Sequence, residues 1–165
     1  MLRFILPFFL LISLVSAQVS VNVAVPNGVY SIVRPQSQLI TAQEGSPTSP
    51  ASLLPPTGNP GEQEFEISRN LDGTVSIQNI RSRLYLSSKN VVNSLITLET
   101  QPKSWILSPG IGPSNYVIRL PGGPVDGQIL VIDISLLRIF PPRLALRPFS
   151  PENVQRQQFR FERHE

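Results

Sequence analysis

One short phrase recurs three times along this chain, and the recurrence limits its fold more than any other feature. Gly28-Val29-Tyr30-Ser31-Ile32 returns as Gly73-Thr74-Val75-Ser76-Ile77 and again as Ser114-Asn115-Tyr116-Val117-Ile118, at spacings of 45 and 41 residues. A second phrase closes each unit: Gln63-Glu64-Phe65, Lys103-Ser104-Trp105 and Gln157-Gln158-Phe159. A period in this range marks a structure assembled from like units, none of which can bury its apolar face alone. Between the phrases run short stretches of Val, Ile, Leu and aromatic residues, broken by Pro, Gly, Asn and Ser. Strands are predicted over 29–33, 38–43, 63–68, 74–79, 83–87, 95–100, 103–108, 115–120, 128–133, 143–147 and 157–162, with a weaker one over 52–55. Phe65/Ile67, Val75/Ile77 and Tyr116/Ile118 alternate with a period of two, and no window holds helical apolar spacing long enough to predict a helix. Asp72-Gly73 is a hairpin-turn signal joining two of these strands.

Each unit thus holds four strands. Three four-stranded units are too few to close a propeller. They suffice for an all-β β-trefoil: three pseudo-symmetric four-stranded repeats, over 27–70, 71–112 and 113–163 of a domain spanning 27–165, forming a six-stranded barrel capped by three hairpins. Closure removes sheet edges. That matters here because the chain has no Cys, so no disulfide can help hold an exported domain together. Phe65, Trp105 and Phe159 are predicted to share the central core.

The start of the chain has the layout of a secretory leader. Arg3 precedes an uncharged apolar run from Phe4 to Val15, and Val15-Ser16-Ala17 places modest side chains before a cut at Gln18. The apolar run is shorter than a membrane span requires. The expectation is a signal peptide over 1–17, an extension over 18–26, a secreted monomer and no membrane attachment after cleavage. With Arg3 removed, 13 basic side chains face 11 acidic ones. No cluster of Lys and Arg reaches the density of a nucleic-acid stripe, so no nucleic-acid partner is expected. The absence of Cys excludes thiol chemistry, and a single His, at 164, argues against a Ser-His-Asp triad or a His-based metal site. No enzyme, cofactor or metal is expected. Asp72, Asp126 and Asp133 read as turn or barrel-end residues rather than a catalytic carboxylate pair.

The wording of the second and third repeats is more specific. Pro102-Lys103-Ser104-Trp105-Ile106-Leu107-Ser108-Pro109, then Asn115-Tyr116-Val117-Ile118, then the ending Leu144-Ala145-Leu146-Arg147-Pro148 with Gln157-Gln158-Phe159-Arg160-Phe161-Glu162 carry it. In these stretches the chain resembles the fungal serine protease inhibitor family of β-trefoils, the cospin/cnispin type, over 27–163. The leader is a departure from that pattern. The resemblance implies inhibition of a serine endopeptidase, trypsin- or chymotrypsin-like, through an exposed loop on a rigid scaffold. It also implies that different members use different loops, so it designates no single reactive residue.

The sequence offers several candidates for that loop. A trypsin-like S1 pocket carries a buried Asp and takes Arg or Lys at P1. Lys89-Asn90 lies in the polar loop 87–93, and Arg138-Ile139 lies in 135–142, stiffened by Pro141-Pro142. Arg156-Gln157 closes 150–157, a location that the resemblance favours. Arg69-Asn70 lies between the first two repeats, whereas Arg34 precedes Pro35, a poor scissile bond. No Lys or Arg occurs from Pro35 through Ser68, so a reactive loop within the Pro/Ser/Thr-rich 43–63 would present a neutral P1, Leu53 or Leu54, to a chymotrypsin- or subtilisin-like pocket. Two other ligand classes compete. A ricin B-like lectin, with a glycan partner, needs Gln-x-Trp near each unit's end with an Asp and a stacking aromatic. Gln63-Glu64-Phe65 and Gln157-Gln158-Phe159 approach that pattern without Trp, and Trp105 has Lys103 where Gln should stand. Inhibition of a cysteine protease, as by trefoils of the clitocypin type, needs no basic P1.

Overall fold

A computed structural model of the chain describes residues 25–165; the expected leader, its cleavage point and most of the 18–26 extension lie outside the described residues. The strands in chain order are β1 (Gly28–Arg34), β2 (Gln38–Thr41), β3 (Ser52–Leu54), β4 (Glu64–Arg69), β5 (Val75–Asn79), β6 (Tyr85–Ser87), β7 (Thr97–Glu99), β8 (Ile106–Pro109), β9 (Asn115–Arg119), β10 (Leu130–Ile134), β11 (Leu144–Pro148) and β12 (Phe159–Arg163). All their pairings are antiparallel, and the first and fourth strands of each unit run in the barrel.

Six strands close on themselves. β1 pairs β4 and β12, β4 pairs β5, β8 pairs β9, and β9 pairs β12. The ring is completed between β5 and β8 by Val75 and Trp105, which exchange N–H···O bonds of 2.8 Å in both directions. Tyr30 faces Phe65 and Tyr116 faces Phe159 in the corresponding places of the first and third units. Phe65, Trp105 and Phe159 are the three largest fully buried side chains. Trp105 also donates its indole N–H to the Leu86 carbonyl at 3.0 Å, which satisfies its one polar atom inside the core.

Three hairpins, β2–β3, β6–β7 and β10–β11, cap one end of the barrel. They meet in a cyclic set of backbone bonds. Ala51 N–H donates to the Ile96 carbonyl at 2.9 Å, Ile96 N–H to the Leu144 carbonyl at 2.9 Å, and Leu144 N–H to the Ala51 carbonyl at 3.1 Å. All three residues are fully buried. Each hairpin thereby fixes the other two, and the loops at their tips and stems are held on a common frame.

The structure corrects the sequence reading in three places. The third unit contains a turn of 3-10 helix (Pro151–Asn153) followed by one turn of α-helix, α1 (Val154–Gln157), where none was expected. Pro151 stands in the first turn, where its missing N–H costs nothing, and one turn is too short to show a helical period. The eighth strand is shorter than 103–108, because only a bridge at Trp105 precedes Ile106–Pro109. Lastly, 43–63 is not a free loop. It contains β3, the short strand expected over 52–55, and the segment after β3 is pinned by Glu62, whose buried carboxylate accepts from Thr57 Oγ1 at 2.8 Å and Asn59 Nδ2 at 2.7 Å.

Candidate functional site

A substrate-like inhibitory loop has a stringent local requirement. The carbonyl oxygen of its P1 residue must be free to enter the oxyanion hole, and the backbone around it must be extended. Intramolecular hydrogen bonds to that oxygen therefore discriminate among the candidates.

Lys89 and Asn90 are exposed, but the Lys89 carbonyl is turned into its own loop. It accepts from Ser94 Oγ at 2.5 Å and from the Val91 N–H. Lys103 braces the loop from beneath, donating to the Ser88 carbonyl at 3.0 Å and to Asn90 Oδ1 at 2.5 Å. Partial burial pulls the Lys103 ammonium below its ordinary pKa. The Asn93 N–H donates to the Leu146 carbonyl at 2.8 Å, and Arg147 donates to Asn93 Oδ1. The segment is a braced turn, and the Lys89–Asn90 bond is not offered outward.

The Arg156–Gln157 bond is held still more firmly. Both residues lie in α1, so the backbone is helical rather than extended. The Arg156 carbonyl accepts from Arg34 Nε at 3.1 Å and Nη2 at 2.8 Å. Arg34 is in turn paired with Asp133 Oδ1 at 3.1 Å, and burial pulls its pKa down while the Asp133 charge opposes the shift. Gln157 is buried, and its side chain donates to the Pro148 carbonyl at 2.9 Å and to Asp133 Oδ2 at 3.1 Å. Arg69 lies at the end of β4, opposite Val75, rather than on a loop, and its N–H donates to Asn27 Oδ1 at 2.9 Å.

Leu53 cannot serve as P1, because it is fully buried in β3 and its N–H donates to the Pro142 carbonyl at 2.9 Å. Leu54 is half-buried and lies opposite Leu39 in the β2–β3 hairpin. The threefold cap needs a third hairpin here, and these two leucines supply its second arm. A neutral P1 at Leu53 or Leu54 is thus replaced by a core role.

Arg138 and Ile139 sit differently. They lie on the loop between β10 and β11, outside regular structure, and Arg138 is exposed. Among the described residues nothing hydrogen-bonds the Arg138 carbonyl or pairs its guanidinium. The stem of the loop is fixed. Ser135 N–H donates to the Arg143 carbonyl at 2.8 Å, Leu137 N–H to Ser135 Oγ at 3.2 Å, and Pro142 is tied to Leu53. On either side of Arg138 the loop bears apolar side chains in solvent: Leu136 is 69% exposed, Ile139 49% and Phe140 87%. The loop location of Arg138–Ile139 agrees with the sequence reading, which did not single out Leu136 and Phe140 as part of the surface. The signal was there, since Leu136-Leu137-Arg138-Ile139-Phe140 is an apolar run without the alternation of a half-buried strand.

Among the described residues the ricin-type sugar grip is absent in its usual form. Gln63 donates to the Pro55 carbonyl at 2.9 Å and accepts from the Thr57 N–H at 3.0 Å. Gln157 makes the equivalent pair in the third unit, with the Pro148 carbonyl and the Ser150 N–H, each at 2.9 Å. Both glutamines are loop clasps. Asp133 is engaged by Arg34 and Gln157, and Asp72 accepts from Thr74 within its own turn. Asp126 lies in the exposed turn closed by Val125 and Gln128. No group of three or more His, Cys, Asp or Glu that could hold a metal ion occurs among the described residues, and no helix there is long and apolar enough to cross a membrane.

Solved structures share this architecture. The chain folds as a β-trefoil. It is similar to the Rhizoctonia solani agglutinin, with a TM-score of 0.71 and 14% identity over 86% of this chain and 99% of that one. The Macrolepiota procera ricin B-like lectin, solved in complex with lactose, gives a TM-score of 0.69 and 13% identity, covering 85% of this chain and 99% of that one. A designed threefold-symmetric protein, ThreeFoil, gives 0.68 and 14%, covering 83% and 99%. At such identities the likeness is one of fold. No protein-family model and no curated protein sequence matches the chain.

Proposed function

We propose that the protein is a non-catalytic binding protein, secreted after removal of residues 1–17, that inhibits a serine endopeptidase of trypsin-like specificity with Arg138 at P1. One observation carries this reading. Among the candidates Lys89, Arg138 and Arg156, only Arg138 combines an exposed, non-helical backbone with a carbonyl that no hydrogen bond occupies. Its guanidinium would meet the acidic S1 pocket, while Leu136, Leu137 and Phe140 would bury apolar surface beside it. The fixed stem lowers the ordering cost of docking. Inhibition constants against trypsin test the reading. Arg138→Ala should raise the constant by about 100-fold or more, as loss of a central anchor does. Lys89→Ala and Arg156→Ala should leave it within about threefold, as peripheral contacts do. An equal constant for Arg138→Ala and the unaltered protein would overturn it.

Carbohydrate recognition is the second reading. The comparisons favour it over protease inhibition: the similar structures include lectins, one bound to lactose, and a Polyporus squamosus lectin bound to a sialylated epitope, at a TM-score of 0.66. Fold alone does not fix a ligand, which is set by the residues of the site.

A further inference from the structure

The tip of the β10–β11 connection carries more than a P1 residue. Phe140 is 87% exposed and is the only exposed aromatic side chain among the described residues; every other is buried or half-buried. A ring left in water contributes nothing to the core, and rings of this size dominate the energetics of interfaces. From Ile134 to Pro142 the one charged side chain is Arg138. A partner for this tip must therefore meet a single cation set among apolar groups.

The order of those groups is informative. The chain bends at Leu136 and again at Phe140 and Pro141, and it runs without a bend over 137–139. In an unbent, non-helical stretch successive side chains point to opposite sides. Exposure follows that parity. The outer pair, Leu136 at 69% and Phe140 at 87%, is more exposed than the inner pair, Leu137 at 53% and Ile139 at 49%. Leu136, Arg138 and Phe140 thus share the outward side, with an apolar group two residues before the cation and another two residues after it. The chain beyond Phe140 is held. Pro141 and Pro142 have φ fixed by their rings, and the Pro142 carbonyl accepts from the Leu53 N–H at 2.9 Å. Phe140 lies two residues from that fixed point, so little chain freedom is lost when its ring is buried by a partner.

With Arg138 in S1, this register puts Phe140 at P2′, the second residue beyond the scissile bond. We infer that Phe140 is a specificity-determining residue that docks in an apolar S2′ subsite, so that the target is a trypsin-like endopeptidase with apolar rather than charged surface on that side of its acidic S1 pocket. The inference rests on the Arg138 reading above and deepens it from one pocket to two. The two contacts differ in chemistry. The guanidinium selects for an acid in S1, whereas the ring is rewarded for leaving water and selects for shape and apolarity. Burial of the ring in the docked complex acts on dissociation more than on encounter.

The test takes trypsin and other trypsin-like endopeptidases and ranks them by kcat/KM on capped peptides Leu-Leu-Arg-Ile-Xaa, with Phe, Ala, Asp or Lys at Xaa. The protein should inhibit most tightly the enzymes that most favour Phe; no relation between the two rankings would overturn the inference. Against the enzyme that favours Phe most, Phe140→Ala should raise the inhibition constant about 30-fold or more, as loss of a hot-spot aromatic does. Phe140→Asp should raise it further, and Phe140→Leu should restore most of the affinity. Leu71→Ala, which removes a fully exposed apolar group from the β4–β5 connection, should change it less than about threefold. Thermal melting should be the same for all four variants. A constant within about threefold for Phe140→Ala, with inhibition still lost in Arg138→Ala, would overturn the inference and leave the Arg138 reading standing. Inhibition of no enzyme in the panel would overturn both. Loss of self-association, or of binding to phosphatidylcholine vesicles, in Phe140→Ala with the inhibition constant unchanged would give the ring to a second copy or to a lipid surface and overturn the inference.

Discussion

At the scale of single residues, the decisive quantity is where a carbonyl oxygen points. Lys89, Arg138 and Arg156 are all exposed basic residues on connections between strands, and composition cannot separate them. Hydrogen bonds do, because Ser94 and Arg34 occupy two of the three carbonyls. Arg34 was discounted as a P1 residue because of Pro35, and its actual work is structural. It joins the end of β1 to α1 and to Asp133 in β10. Replacing it by Met leaves the Asp133 carboxylate, which is only 18% exposed, without its cation. Arg34→Met should therefore destabilise the fold by about 1–3 kcal/mol in urea denaturation, discounted from a fully buried pair because water still reaches both groups. A loss indistinguishable from zero would show that the Arg34 contacts are incidental.

At the scale of elements, the alternation of apolar residues made most strands legible, and the repeated phrases put them in register. What stayed illegible has physical reasons. β3 was legible only as a weak strand over 52–55, because it is three residues long and embedded in a Pro/Ser/Thr-rich stretch, and its burial did not show in that composition. Leu53 was thereby read as a surface residue although it is core. The turn of α1 is shorter than any helical period. The Gln-x-aromatic phrase was legible as a repeat, but its meaning was not: in two units the Gln clasps the loop that follows the third strand. In the second unit Lys103, which has no acceptor atom, reaches the Ser88–Asn90 segment instead. Gln63→Ala would leave the Pro55 carbonyl and the Thr57 N–H without these partners in a partly buried setting. The expected cost is about 1–3 kcal/mol, with faster amide exchange at Thr57 as the local readout. Unchanged stability and exchange would remove the clasp from the account.

At the scale of the whole molecule, closure explains how a chain without Cys can hold its fold. The barrel removes its own edges, and the cyclic Ala51, Ile96 and Leu144 bonds lock the cap. Trp105 stands where the ring closes between β5 and β8, so Trp105→Ala should cost about 3–5 kcal/mol by the cavity it leaves. A cost below about 1 kcal/mol would mean that the barrel core repacks around the loss, contrary to its close packing. With the scaffold so fixed, the proposed inhibition falls to the loops, which the sequence could name without ranking them. The most direct test is prolonged incubation with catalytic amounts of trypsin, followed by N-terminal sequencing of the fragments. A single new terminus at Ile139, appearing while trypsin remains inhibited, is the predicted result. Cleavage after Lys89 or Arg156, or general digestion with trypsin fully active, would contradict it.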